Sequence, residues 1–104
     1  MKDTTHYHLL KRLGEMDYEV RCDVVYIGSM FTVVKATAKM DDQVHTHHPL
    51  HPKHLEAEGV SRRSVKDSPN AIMGRMIAEG RALKALLLKA QGIKDLHRRH
   101  LLMG

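Results

Sequence analysis

The sequence predicts an α+β domain: a three-stranded antiparallel sheet packed by one long C-terminal helix, with short flanking helices at both termini. Three observations carry this expectation. Two consecutive runs alternate between apolar and polar residues on either side of Gly28-Ser29. A third run precedes Ser68-Pro69, and an apolar stripe at helical spacing follows it. All 104 residues are read as a single domain with its core over 18–92, because a chain of this length has room for one modest core.

Each element has its own signal. Thr4 or Thr5 offers a cap for a helix over 4–14, in which Tyr7, Leu10 and Leu13 recur every three residues before Gly14 ends it. From Tyr18 to Tyr26, the residues Tyr18, Val20, Cys22, Val24 and Tyr26 share one face, with Glu19, Arg21 and Asp23 opposite. Gly28-Ser29 suits a two-residue type II′ hairpin turn. Met30, Thr32, Val34, Ala36, Ala38 and Met40 then share a face, and Asp41-Asp42 ends the strand. The His- and Pro-rich stretch from Gln43 to Lys53 reads as a long loop. Leu55, Ala57 and Gly59 lie on one side of a third strand reaching to about Val65, with Gly59 marking a bulge beyond which Val60 faces inward.

Ser68 as N-cap and Pro69 at the first helical position open the long helix. Its stripe is Ile72, Met76, Leu83, Leu87 and Ala90, with Gly80 on the same face allowing a close approach to the sheet. Gly92 is a natural stop. Ile93, Leu96, His100 and Met103 then pattern a separate short helix over 93–103.

Charge is distributed unevenly. The 17 Lys+Arg and 12 Asp+Glu give +5, and protonation of all nine His would raise this to +14. Up to Ala57 there are 7 basic and 8 acidic residues, net −1; beyond it there are 10 basic and 4 acidic, net +6. A localised positive excess points to nucleic acid or another polyanion. There is no apolar run of membrane-spanning length and no signal-peptide pattern, and the lone Cys22 excludes an intramolecular disulfide framework or a CxxC motif. The expectation is a cytoplasmic protein without membrane contact.

Arg62, Arg63 and Lys66 lie at the junction between the third strand and the long helix, where cationic side chains and helix amides favour anions. Arg81, Arg98 and Arg99 extend this candidate nucleic-acid site, and backbone contacts of this kind position a protein without reading bases. His45, His47, His48, His51 and His54 form a second candidate cluster. Imidazole binds zinc, nickel and copper, but no His-Glu-x-x-His or Cys-containing signature accompanies these residues, so adventitious metal affinity ranks above a functional site and no cofactor is expected. Protonation below pH ~6.5 would make the same loop cationic.

Catalysis has no visible machinery. Cys22 lies on an apolar strand face, and neither a phosphate loop, a nucleophile elbow nor paired carboxylates are present; the protein is read as not an enzyme. With Tyr18 and Tyr26 assigned to the core, only Phe31 and Tyr7 remain as exposed rings, too few for a stacking platform.

Glu58-Gly59-Val60-Ser61-Arg62-Arg63, a Pro before the helix, Ile72-Met73-Gly74-Arg75 and Ala78-Glu79-Gly80-Arg81-Ala82-Leu83 together resemble the end of a small actinobacterial or phage domain family of unknown function. That resemblance, over roughly residues 18–90, implies a double-stranded-RNA-binding-domain-like (dsRBD-like) fold and a likeness to ribosome hibernation factors. Ser61-Arg62-Arg63-Ser64-Val65-Lys66 is also similar to the basic cluster that opens the last helix of double-stranded RNA-binding domains. It departs from that pattern because Pro69 starts the helix after the cluster, and Gly28-Ser29 is too short for their groove-reaching loop.

The leading expectation is a small basic non-enzymatic module that contacts nucleic acid or the ribosome through phosphates. The alternative is a phage-encoded factor that binds and inhibits a host protein. The open sheet edges suggest a homodimer.

Overall fold

The alternating runs form strands and the helical stripes form helices. The structure, a computed structural model, describes residues 4–47, 51–62 and 71–103. Their order is α1 (Thr4–Glu15), β1 (Glu19–Ile27), β2 (Phe31–Lys39), α2 (Asp42–His47), β3 (His54–Arg62) and α3 (Ala71–Met103). The strands make one antiparallel sheet in the order β1-β2-β3. α3 packs across β2 and β3, and α1 packs on α3 and touches β1. Among the described residues, no helix is long and apolar enough to cross a membrane.

The inward line of α1 is half-buried Leu9 and buried Leu13, continued by half-buried Met16 just past its end, while Tyr7 and Leu10 are 63% and 42% exposed. The expected three-residue recurrence is therefore not the inward face. A uniform step of three falls short of the 3.6-residue turn and drifts around the cylinder, whereas steps of four and three stay on one side. The chain leaves the helix at Asp17, which takes φ 67°, and not at Gly14. Met16 and Tyr18 both donate to the Leu13 carbonyl, at 3.1 and 3.2 Å.

β1 keeps Val20, Cys22 and Val24 on the α3 side, half-buried, and Tyr18 is buried just before them. Its register with β2 then slips, from Val24↔Val34 to Tyr26↔Val33, so Val25 is the extra residue of a β-bulge. Because side-chain direction alternates with every residue, the insertion places Tyr26 on the opposite face, correcting its assignment to the core. The hairpin connection spans residues 28–30, and Gly28 donates to the Phe31 carbonyl at 2.9 Å. No described glycine has positive φ, which a type II′ turn requires, so that turn is not formed. Gly28 serves a different need, since a Cβ there would lie 2.6 Å from the Tyr26 ring. Met30 belongs to this connection and is exposed, outside the β2 core face.

The sheet and α3 meet through small residues. A Cβ on Gly59 would lie 2.2 Å from the Ala78 carbonyl oxygen and 2.3 Å from the Ala82 nitrogen, so the helix backbone passes directly over it. At Gly74 the approach is looser, since a Cβ there would lie 3.4 Å from the Ser61 and Thr32 hydroxyl oxygens, and the Ser61 hydroxyl donates to the Gly74 carbonyl at 2.7 Å. The β2–β3 register is unbroken from Phe31↔Arg62 to Lys39↔His54. Gly59 therefore marks a close crossing and not a bulge, and Val60 faces outward.

Leu83, Leu87 and Ala90 are buried as expected, together with Leu86, Ala78 and Ala82. Ile72 and Met76 are exposed, the former by 75%. Gly80 faces His6 of α1, 3.3 Å from where its Cβ would sit, and does not face the sheet. α3 also runs unbroken through Gly92 to Met103, so the expected helix over 93–103 is the continuation of α3. Ser68 and Pro69 lie outside the described residues.

Asp41 does more than end β2. Its carboxylate accepts the Val44 amide at 2.8 Å and caps α2, so the His-rich segment opens as a short helix and not as a loop.

Candidate nucleic-acid interface

Strand alternation sorts the outer face of the sheet, away from α3, into two halves. Toward the open end of the hairpin it carries Arg21 and Asp23, joined at 3.1 Å, Lys35 and Glu56 at 3.4 Å, and Glu58. These exposed pairs are screened by water and contribute at most about 1 kcal/mol each. Toward the hairpin tip the face is apolar. Tyr26 and Phe31 stack with ring centroids 4.8 Å apart and planes 27° apart. Met30, Phe31, Val33, Val60 and Arg62 line an open groove of about 530 Å³ beside that pair.

The bulge at Val25 assembles this patch, since without its side reversal Phe31 would have no aromatic neighbour. Sequence reasoning missed Tyr26, Met30, Val33 and Val60. The available signal was the unbroken apolar run Val24-Val25-Tyr26-Ile27, which strict alternation cannot place on one face.

Arg62, the last residue of β3, pairs across from Phe31 and is exposed at the groove. It has no carboxylate partner among the described residues, so its charge is available to an anion. Arg63 and Lys66 lie outside the described residues. Arg81 is brought to the same end of β3, where its guanidinium donates to the Val60 carbonyl at 2.6 Å. Arg98 and Arg99 are on the distal part of α3, with side chains outside the described set.

The histidines do not converge. His45 Nε2 is 2.9 Å from the His51 carbonyl oxygen, His47 is exposed at the end of α2, and His54 sits on β3, 3.2 Å from Glu56. His48 lies outside the described residues, and among those described no three metal-ligating side chains come together. Nearby, Lys53 pairs with Asp42 and holds that carboxyl below its usual range. The Tyr18 hydroxyl, pushed up by burial, donates to the Pro52 carbonyl at 2.8 Å and ties this segment to the core.

Cys22 is half-buried between β1 and α3. Burial pushes its thiol up, Glu79 and Asp23 push the same way, and Arg75 opposes them. The neutral thiol is thereby favoured over the nucleophilic thiolate. Compared with family models, with curated proteins and with solved structures, the chain has no match.

Proposed function

We propose that this chain is a non-enzymatic binding module that contacts nucleic acid, free or within a ribosome, through phosphate contacts at the end of β3. The observation that carries this reading is Arg62: an exposed cation without a carboxylate partner among the described residues, bordering an aromatic groove, at the start of the +6 C-terminal part of the chain. Arg63 and Lys66 follow it closely in sequence and would add further cations. Binding of this kind is largely independent of sequence and weakens steeply with salt, because neutralising phosphates releases counterions.

A salt titration against RNA and DNA tests the reading. Arg62→Glu together with Arg63→Glu is expected to weaken binding and to lower the salt slope by about one for each phosphate that is no longer neutralised. Unchanged RNA, DNA and ribosome association would remove the β3 end as the site.

A protein partner, such as a host protein bound by a phage-encoded factor, is the second reading. The exposed Ile72, Met73 and Ile77 at the start of α3 favour it, because they place large apolar side chains on the surface. A pull-down with and without nuclease separates the two, since only a protein partner survives nuclease.

A further inference from the structure

The two edges of the sheet are not equivalent. Met40 donates to the Lys53 carbonyl at 2.9 Å, which sets the hydrogen-bond phase of the β2–β3 ladder. By alternation Ala38/Leu55, Ala36/Ala57, Val34/Gly59 and Thr32/Ser61 are its bonded pairs, and Glu56, Glu58 and Val60 turn their amides and carbonyls outward. Two of those outward carbonyls are occupied: Val60 accepts from Arg81 and Glu56 from Lys89, each at 2.6 Å. Residues eight apart on α3 thus block the β3 edge, a recognised defence against strand addition.

The same phase leaves Val33, Lys35, Thr37 and Lys39 of β2 to bond β1 through Tyr26, Asp23, Arg21 and Glu19. Val20, Cys22 and Val24 therefore present their backbone groups outward from β1. Among the described residues, no side chain is hydrogen-bonded to those groups.

We infer that β1 is the interface for a second copy of this chain, pairing antiparallel about a two-fold axis at Cys22 to form a continuous six-stranded sheet. This register engages all three outward-facing residues. Cys22 meets Cys22 of the second copy, and Val20 meets Val24 on the helix side. On the outer face Arg21 meets Asp23 of the second copy in both directions. The strand is thus self-complementary in charge, as a two-fold interface requires. A two-fold centred on Arg21 would oppose two guanidiniums and bond only Val20 with Cys22, leaving Val24 opposite Tyr18, whose amide already donates to the Leu13 carbonyl. The helix layer supports the same partner. α1, which touches β1, leaves Tyr7 and Leu10 exposed, and a second α1 alongside would cover apolar surface there.

The test uses the full chain. Analytical ultracentrifugation is expected to show a dimer. Mild oxidation is expected to link it through Cys22, since opposed residues in a bonded antiparallel pair have Cα atoms about 5.5 Å apart, within disulfide range. Arg21→Asp alone and Asp23→Arg alone each create like-charge pairs and are expected to weaken dimerisation roughly tenfold or more. Mixing those two variant chains restores opposite charges at both positions and is expected to recover a heterodimer. Circular dichroism of each variant checks that it remains folded. A monomer at every concentration overturns the proposal. So does a dimer that neither cross-links through Cys22 nor responds to the charge changes, because that dimer would use another surface, such as the apolar groove.

Discussion

Gly59 has α3 backbone atoms where its Cβ would be, and that backbone has no flexible side-chain end to give way. Gly59→Ala is expected to cost about 3 kcal/mol or more, by forcing helix and sheet apart, as read from urea unfolding. Gly92→Ala, where nothing lies within 4 Å, is expected to gain up to about 1 kcal/mol from helix propensity. Two residues also govern behaviour in alkali. Burial raises both Cys22 and Tyr18, so the folded chain holds these protons more tightly than the unfolded chain. Their stabilisation is fully present below the unfolded values and is lost as pH rises, from about pH 9 for the thiol and about pH 10 for the phenol. Thermal unfolding at increasing pH should show this decline, and Cys22→Ala should delay its onset to the tyrosine range.

At the scale of elements, α1, the three strands, the long helix and their order were legible, because strand alternation and helical spacing are local properties that a single sequence displays. The short α2 and the continuation of α3 past Gly92 were not. Facing was less legible. β1 reads as one amphipathic strand until the Val25 insertion reverses it, and the cost of such an insertion depends on the partner strand. Leu83, Leu87 and Ala90 were placed correctly on the inward face of α3, but its first turns were misassigned: the large Ile72 and Met76 are exposed, whereas Gly74, Ala78 and Ala82 lie against the sheet. Small residues announce a close crossing only once the glycine opposite is known. The candidate site was half legible: Arg62 stands out as charge, but its aromatic surroundings depend on the bulge. The protected β3 edge gives an element-scale prediction. Arg81→Ala with Lys89→Ala should change unfolding free energy by only about 1 kcal/mol, as exposed contacts do, yet raise light scattering on heating by freeing the Val60 and Glu56 carbonyls.

For the whole molecule, α3 sets the dimensions. Its 33 residues span about 50 Å at 1.5 Å per residue, whereas nine-residue strands reach about 30 Å. The described molecule is correspondingly long, at 54 × 28 × 25 Å. Arg98 and Arg99 therefore lie far along the helix from Arg62, at the opposite end of the long axis. A polyanion that engages both ends must be extended. If phosphates meet both, Arg98→Ala with Arg99→Ala should lower the salt slope by about two for a long oligonucleotide and leave a short one unaffected.

The crossing at Gly59 also limits how this sequence can drift. Position 59 cannot enlarge while Ala78 and Ala82 hold the helix backbone against it, and larger residues at 78 or 82 would lift the helix and leave a void over a glycine. These three positions form a linked set in which single steps are penalised and joint steps tolerated. The triplet of Gly59, Ala78 and Ala82 is thus a packing signature by which a distant relative of this fold would be recognisable after its surface charges had been replaced.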